Sequence, residues 1–160
     1  MPKRSAGVLL FRRKGPQIEV LLAHPGGPFW KNKDEGVWSI PKGEYGENES
    51  PLTAAKRELA EETGLKPLGE FLPLGEIRQA GGKVVTAWAV EGNFDAATMH
   101  SNTFSMPWPP GSGKLQQFPE IDRAEWFSLE VARDKIIKGQ VELLERLAAH
   151  LHSQKDNQYS

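Results

Sequence analysis

The stretch GEYGENESPLTAAKRELAEETGL, Gly43 to Leu65, ends by crowding Glu58, Glu61 and Glu62 into five positions. Ser50 followed by Pro51 opens a helix, because a serine side chain accepts from the first free amides and proline suits the first turn. Thr53 to Glu62 are mostly good helix formers, and Gly64 provides the left-handed end. At about 100° per residue, Leu52, Ala55 and Leu59 share an apolar stripe. Glu58, Glu61 and Glu62 fall within about 100° of one another on the neighbouring face. Like charges at this spacing repel by about 0.2–0.5 kcal/mol per pair. The helix C-terminus, where these three sit, also disfavours anions.

An acidic helix face is ordinarily a solvated one, with Arg57 paired to Glu61 at i, i+4. Here the cluster follows a glycine-rich loop carrying Lys42, and Glu44, Glu47 and Glu49 add carboxylates before the helix begins. Such crowding calls for a cation, and an all-oxygen set selects a hard one, Mg²⁺ or Mn²⁺, which commonly works on phosphates.

The same residues resemble the signature of the Nudix hydrolases: Gly, five residues, Glu, seven residues, Arg-Glu, an aliphatic, any residue, Glu-Glu, any residue, Gly, aliphatic. Gly43, Glu49, Arg57, Glu58, Leu59, Glu61, Glu62, Gly64 and Leu65 fill all nine positions. The resemblance implies an α/β fold, an α/β/α sandwich with a mixed β-sheet and a loop-helix-loop that holds metal against a diphosphate linkage. It makes Glu58, Glu61 and Glu62 metal ligands, with the Gly43 carbonyl as a further ligand. Arg57 orients the carboxylates, Glu49 ties the loop to the helix through Arg57, and Glu58 or Glu62 is a candidate base.

Outward from the signature, SAGVLLFRR and IEVLLAH read as a hairpin about KGPQ. VWSI reads as a short strand and PKGEYGENES as a loop. GEFLPLGEIRQ and KVVTAWAVEG read as strands, and 93–119 as one long irregular loop. RAEWFSL reads as a strand. EVARDKII and QVELLERLAAHL read as helices broken at Lys138-Gly139. Residues 1–152 form a single domain on this reading, and 153–160 a frayed polar tail.

The lead-in SIPKGE resembles that of family members acting on diadenosine polyphosphates and diphosphoinositols, which makes Lys42 a phosphate contact. QQFPEIDRAEWFSL, Gln116 to Leu129, resembles the late segment of asymmetric diadenosine tetraphosphate hydrolases. That likeness marks Glu120 as an outer ligand or base, with Glu125 second. Phe29, Trp30 and Trp108 sit in irregular stretches and suit stacking on a purine, or else cover a sheet edge. Arg4 is a further candidate phosphate contact, His24 reads as a structural histidine, and Trp126 and Phe127 read as core.

A net charge of −1 gives no general attraction to nucleic acid or membrane. The absence of cysteine excludes disulfides, thiolate metal sites and a cysteine nucleophile. No apolar run approaches a membrane span, and the composition points to the cytoplasm. The expected partner is a small nucleotide, with no stable nucleic-acid or membrane partner. The leading expectation is asymmetric hydrolysis of diadenosine tetraphosphate to ATP and AMP. Removal of damaged nucleoside triphosphates is the rival within the class, with an end-capped RNA a further possibility. A non-catalytic nucleotide-binding module and a structural protein are the other classes.

Overall fold

A computed structural model describes residues 3–67 and 69–158, without the side chains of 154–158. The strands β1 (Arg4–Lys14) and β2 (Gln17–Pro25) form the expected hairpin, with Lys14 opposite Gln17. Gly15, at φ +62°, takes the first central position of the turn, as a two-residue hairpin of this hand requires. Three more long strands extend the main sheet: β4 (Leu72–Arg78), β5 (Val84–Glu91) and β8 (Ile121–Ser128). The order is β4-β5-β1-β2-β8, and β1 runs parallel to β5 while the other neighbours are antiparallel.

The apolar run in β1 is continuous because both of its faces are covered. Ala6, Val8 and Leu10 pack with Ala54, Ala55 and Leu59 of α1 (Pro51–Thr63). Leu9 and Phe11 point the other way. They join Leu143, Leu144 and Leu147 of α3 (Val141–Gln158) and Ala132 of α2 (Leu129–Lys135). The result is the α/β/α sandwich that the resemblance implies. The buried stripe of α1 is Ala54, Ala55 and Leu59, with Leu52 only partly covered. Two alanines let the helix lie close on the sheet. Ser50 caps the helix by accepting from the Thr53 amide, and the Gly64 amide donates back to the Ala60 carbonyl at φ +76°.

Four readings need correction. The stretch read as a loop after Pro41 contains β3 (Lys42–Glu44), which pairs with β1 at Ser5, Ala6 and Gly7. VWSI is not a strand; Trp38 and Ser39 make isolated bridges to Ile136 and Ala23. Both departures have one cause. β2 leaves β1 beyond Phe11, and the chain from Trp38 to Glu44 fills the gap between them, so neither part forms a long ladder. The irregular segment 93–119 carries a separate two-stranded sheet, β6 (Thr103–Pro107) with β7 (Leu115–Pro119), which its prolines and its exposed alternate residues conceal. Finally, α3 stays helical through Gln158, past the point where a frayed tail is expected; Tyr159 and Ser160 lie outside the described residues. The break at Lys138-Gly139 is present as a 3₁₀ turn, Lys138–Gln140. Trp126 and Phe127 are partly buried, Phe127 edge-on to Trp38 at 4.9 Å.

Gln140, fully buried, holds the gap-filling chain in place. Its side-chain oxygen accepts from the Ile40 amide at 3.0 Å, and its nitrogen donates to Ser39 Oγ at 3.0 Å and to Gln79 Oε1 at 3.3 Å. Gln140→Leu leaves the Ile40 amide buried without a partner, a cost of about 1–3 kcal/mol. Thermal unfolding of the variant is expected to shift down by several degrees; an unchanged Tm would show that the three bonds contribute nothing net.

Candidate active site

The signature helix and its lead-in loop are joined by one guanidinium. Arg57 donates from Nε and Nη2 to the two oxygens of Glu49, at 2.8 and 2.9 Å. Its Nη1 donates to Glu58 Oε1 at 2.9 Å and, more weakly, to Glu61 Oε1 at 3.4 Å. These contacts raise the Arg57 pKa and hold the Glu49 carboxyl below its ordinary value. The Glu58 carboxylate is pressed against the backbone of Gly43, where a Cβ would lie 2.0 Å from Oε1. Glycine at position 43 is therefore a condition for Glu58 to point inward.

Glu62 is the most perturbed carboxyl of the set. Burial, then repulsion from Glu58, Glu120 and Glu61, pushes its pKa up to about 8, against a smaller opposing pull from Lys42. Its Oε2 is buried without a hydrogen-bond partner. Glu58 is also raised, first by burial, although Arg57 opposes this. Lys42 is pushed down by burial and by Lys83, against the attraction of Glu44, Glu62 and Glu58.

Glu62, Glu120, Lys42 and Trp30 line one open cleft of about 350 Å³. Its floor is the gap-filling chain, Ser39 to Lys42, and its other walls include His24, Gln79 and Lys83. Glu120 stands at the β7–β8 junction. Its amide donates to the Asn102 carbonyl at 2.8 Å and its carbonyl accepts from the Gly26 amide at 2.9 Å. Glu120 also shares a small crevice with Glu61 and Glu62. Trp30 is partly exposed, with Lys33 Nζ 5.2 Å from its ring centroid.

Phe29 and Trp108 meet edge-to-face at 5.6 Å and lie outside the cleft lining. Arg4 also lies outside it and faces Glu76 at 3.7 Å on the surface. Glu125, the second choice for the outer role, pairs with Leu22 along β8 and does not line the cleft. Three residues were not anticipated here: Ser39, Gln79 and Lys83. The turn QAGGK between two strands is the one sequence feature that marks the last two, since a glycine turn lets a following lysine face a ligand.

The donor set fits a hard divalent ion. The orphaned Glu62 oxygen, the Glu58 carboxylate over Gly43 and the mutual repulsion of four glutamates are each relieved by a cation. Among the described residues, no three acidic or histidine side chains already enclose a single point. An octahedral ion that keeps waters and phosphate oxygens among its ligands does not need such a cage.

A carboxyl whose pKa is higher in the fold than in the unfolded chain binds its proton more tightly when folded. Its stabilising proton is present at low pH and lost as pH rises from the ordinary 4.5 towards about 8. In EDTA, wild-type stability is expected to fall across that window. Glu62→Gln is expected to flatten the fall and to melt several degrees higher near the top of it. Equal pH profiles for the two proteins would contradict the assigned strain.

The sequence model of the NUDIX domain matches residues 1–147. An octanoyltransferase of Myxococcus xanthus is 27% identical over 149 residues, which cover 92% of this chain and 37% of that protein. An RNA pyrophosphohydrolase of Bartonella henselae is 34% identical over 70 residues, 41% of this chain and 38% of that one. The chain thus matches less than two-fifths of the length of either relative. Among solved structures, the binary complex of a C. elegans Ap4A hydrolase superposes with a TM-score of 0.62 at 21% identity, over 93% of this chain and 98% of that one. Described residues include no helix long and apolar enough to cross a membrane. With the domain match running through both faces of the sandwich and the complete signature, the chain belongs to the Nudix hydrolase family.

Proposed function

We propose that the chain is a pyrophosphohydrolase of nucleoside diphosphate-linked compounds, dependent on Mg²⁺, with diadenosine tetraphosphate cut asymmetrically to ATP and AMP. The carrying observation is the convergence of Glu62, Glu120, Lys42 and Trp30 on one cleft beside the Arg57-bound glutamates. Family members generally require a divalent metal, and Glu58, Glu61, Glu62 and the Gly43 carbonyl are the groups that would hold it. A divalent ion there supplies charge neutralisation towards phosphate oxygens and Lewis acidity.

The chain's own residues do the rest. Lys42, with Lys83 beside it, draws the polyphosphate into the cleft as point charges. Arg57 holds Glu58 and Glu61 in orientation through its fork, and Glu49 anchors that fork. Water attacks phosphorus as the bridging P–O bond breaks and the nucleotide on its far side departs with that oxygen; the proton of the water passes to a carboxylate, for which Glu58, Glu62 and Glu120 are the candidates. Phosphoryl transfer asks mainly for this positioning and charge compensation. Trp30 offers a face for a purine, and the Phe29–Trp108 pair a second aromatic surface further out. Of the relatives named above, an Ap4A hydrolase and an RNA pyrophosphohydrolase agree by name with the reaction class, and the octanoyltransferase does not.

One observation favours the rival triphosphate pyrophosphatase: of the three candidate stacking aromatics, Trp30 alone lines the cleft.

Product chromatography with Mg²⁺ separates the readings. ATP and AMP released from diadenosine tetraphosphate, at the highest kcat/KM of a panel with 8-oxo-dGTP, ATP and a sugar nucleotide, is the expected result. Glu61→Gln and Glu62→Gln are each expected to lower kcat at least about 100-fold while the fold is retained. Pyrophosphate release from a triphosphate at higher kcat/KM would transfer the assignment to the rival. Absence of Mg²⁺-dependent turnover would leave a binding module.

Loss of stacking acts on binding rather than chemistry. Trp30→Ala is expected to raise KM about 5- to 150-fold with kcat little changed, the equivalent of about 1–3 kcal/mol. An unchanged KM would remove Trp30 from the base site.

A further inference from the structure

His24 is fully buried, lies at the end of β2 and lines the cleft, yet the reaction as derived above does not use it. Both ring nitrogens face oxygens. Nδ1 is 2.8 Å from Asp122 Oδ1, and Nε2 is 2.6 Å from the Lys33 carbonyl. A carbonyl only accepts, so Nε2 carries a proton. The contact to Asp122 then also contains a proton, held by one partner or the other, so both contacts are hydrogen bonds. The ring is further fixed edge-on to Trp38, with centroids 5.0 Å apart.

The two anchors belong to different walls of the site. Lys33 closes the loop that presents Trp30: its amide donates to the Trp30 carbonyl at 2.9 Å, and its ammonium lies over the Trp30 ring. Asp122 lies two residues beyond Glu120. The register of β2 against β8 pairs His24 with Arg123 and Pro25 with Ile121, and so skips Asp122. Asp122 is the extra residue of a β-bulge, a device that re-aims a side chain. Here it aims at His24. The bulge thus lies at the start of β8, directly after the junction that holds Glu120.

We propose that the His24–Asp122 pair is a positioning strut that sets the Trp30 wall and the Glu120 junction at a fixed separation across the cleft. The pair acts through Trp30 and Glu120 and touches no reacting atom; its kinetic meaning rests on the function proposed above.

Amide hydrogen exchange on the whole chain, free of metal and nucleotide, tests the strut without reference to activity. Asp122→Ala is expected to speed exchange in the non-proline residues of 26–36 and at Glu120 and Ile121 about five- to tenfold, while α3 and β1 keep wild-type rates. His24→Phe, which keeps a ring against Trp38 but loses both hydrogen bonds, is expected to do the same. Asp122→Asn, whose side-chain amide can donate to Nδ1 while Nε2 still donates to the Lys33 carbonyl, is expected to restore most of the protection. In turnover, Asp122→Ala is expected to raise KM and lower kcat, each at least about threefold, where Trp30→Ala raises KM alone. Unchanged exchange at 26–36, an equal rise throughout the sheet, or kinetics identical to wild type would overturn the strut. If the wild-type chain turns over no polyphosphate, the functional reading fails and the exchange pattern alone decides the strut.

Discussion

The fork of Arg57 makes the acidic helix tolerable. Its guanidinium takes Glu49 with two parallel bonds and still reaches Glu58 and Glu61. A lysine would offer a point charge, which cannot bind one carboxylate in two places while orienting two more. Because Glu49 sits in the loop and the others on α1, the same contact fastens loop to helix. The end caps at Ser50 and Gly64 place Arg57 on the right turn, and Gly43 leaves space for the carboxylate that Arg57 orients. The acidic set is therefore a preorganised unit, and Glu62, beyond the reach of the fork, keeps the unrelieved strain.

The cleft exists because the sheet divides. β1 gives one part of its edge to β2 and another to β3, and the chain between Trp38 and Glu44 bridges the opening. Gly7 permits this: a Cβ there would lie 2.5 Å from the Pro41 carbonyl. Lys42 reaches the site because it stands where the inserted chain rejoins β1. Gln140, arriving from the opposite layer, supplies the hydrogen bonds that a regular ladder would otherwise have provided.

Much of this was readable in the sequence, and the limits have physical causes. The signature helix, its two caps and the β1–β2 hairpin follow from local rules acting on adjacent residues, and the structure has them. The family and its sandwich were legible for a different reason, since nine residues at fixed spacing carry far more information than any propensity. The division of the sheet was not legible, because it depends on where β2 parts from β1 and no local pattern reports that. The β6–β7 hairpin was hidden for a related reason: a pair of strands packed on neither main layer needs no apolar alternation. Gln140 supports the cleft from beneath its lining through hydrogen bonds to Ile40, Ser39 and Gln79 that span 61 residues or more, and no local pattern in the sequence shows such pairings.

Gly26 has a consequence for how such a site can change over time. A Cβ at this position would lie 1.9 Å from the Pro119 carbonyl, and Phe104 of the hairpin stands over Gly27. The aromatic loop and the β6–β7 hairpin are thus in backbone contact with no room for slack. A hairpin of different length or twist, transplanted from another protein, would collide with a loop shaped for this one. The contacting residues are 93 positions apart for Gly26 and Pro119 and 77 for Gly27 and Phe104, yet the two segments are coupled sterically, so a change of backbone shape in one has to be matched in the other.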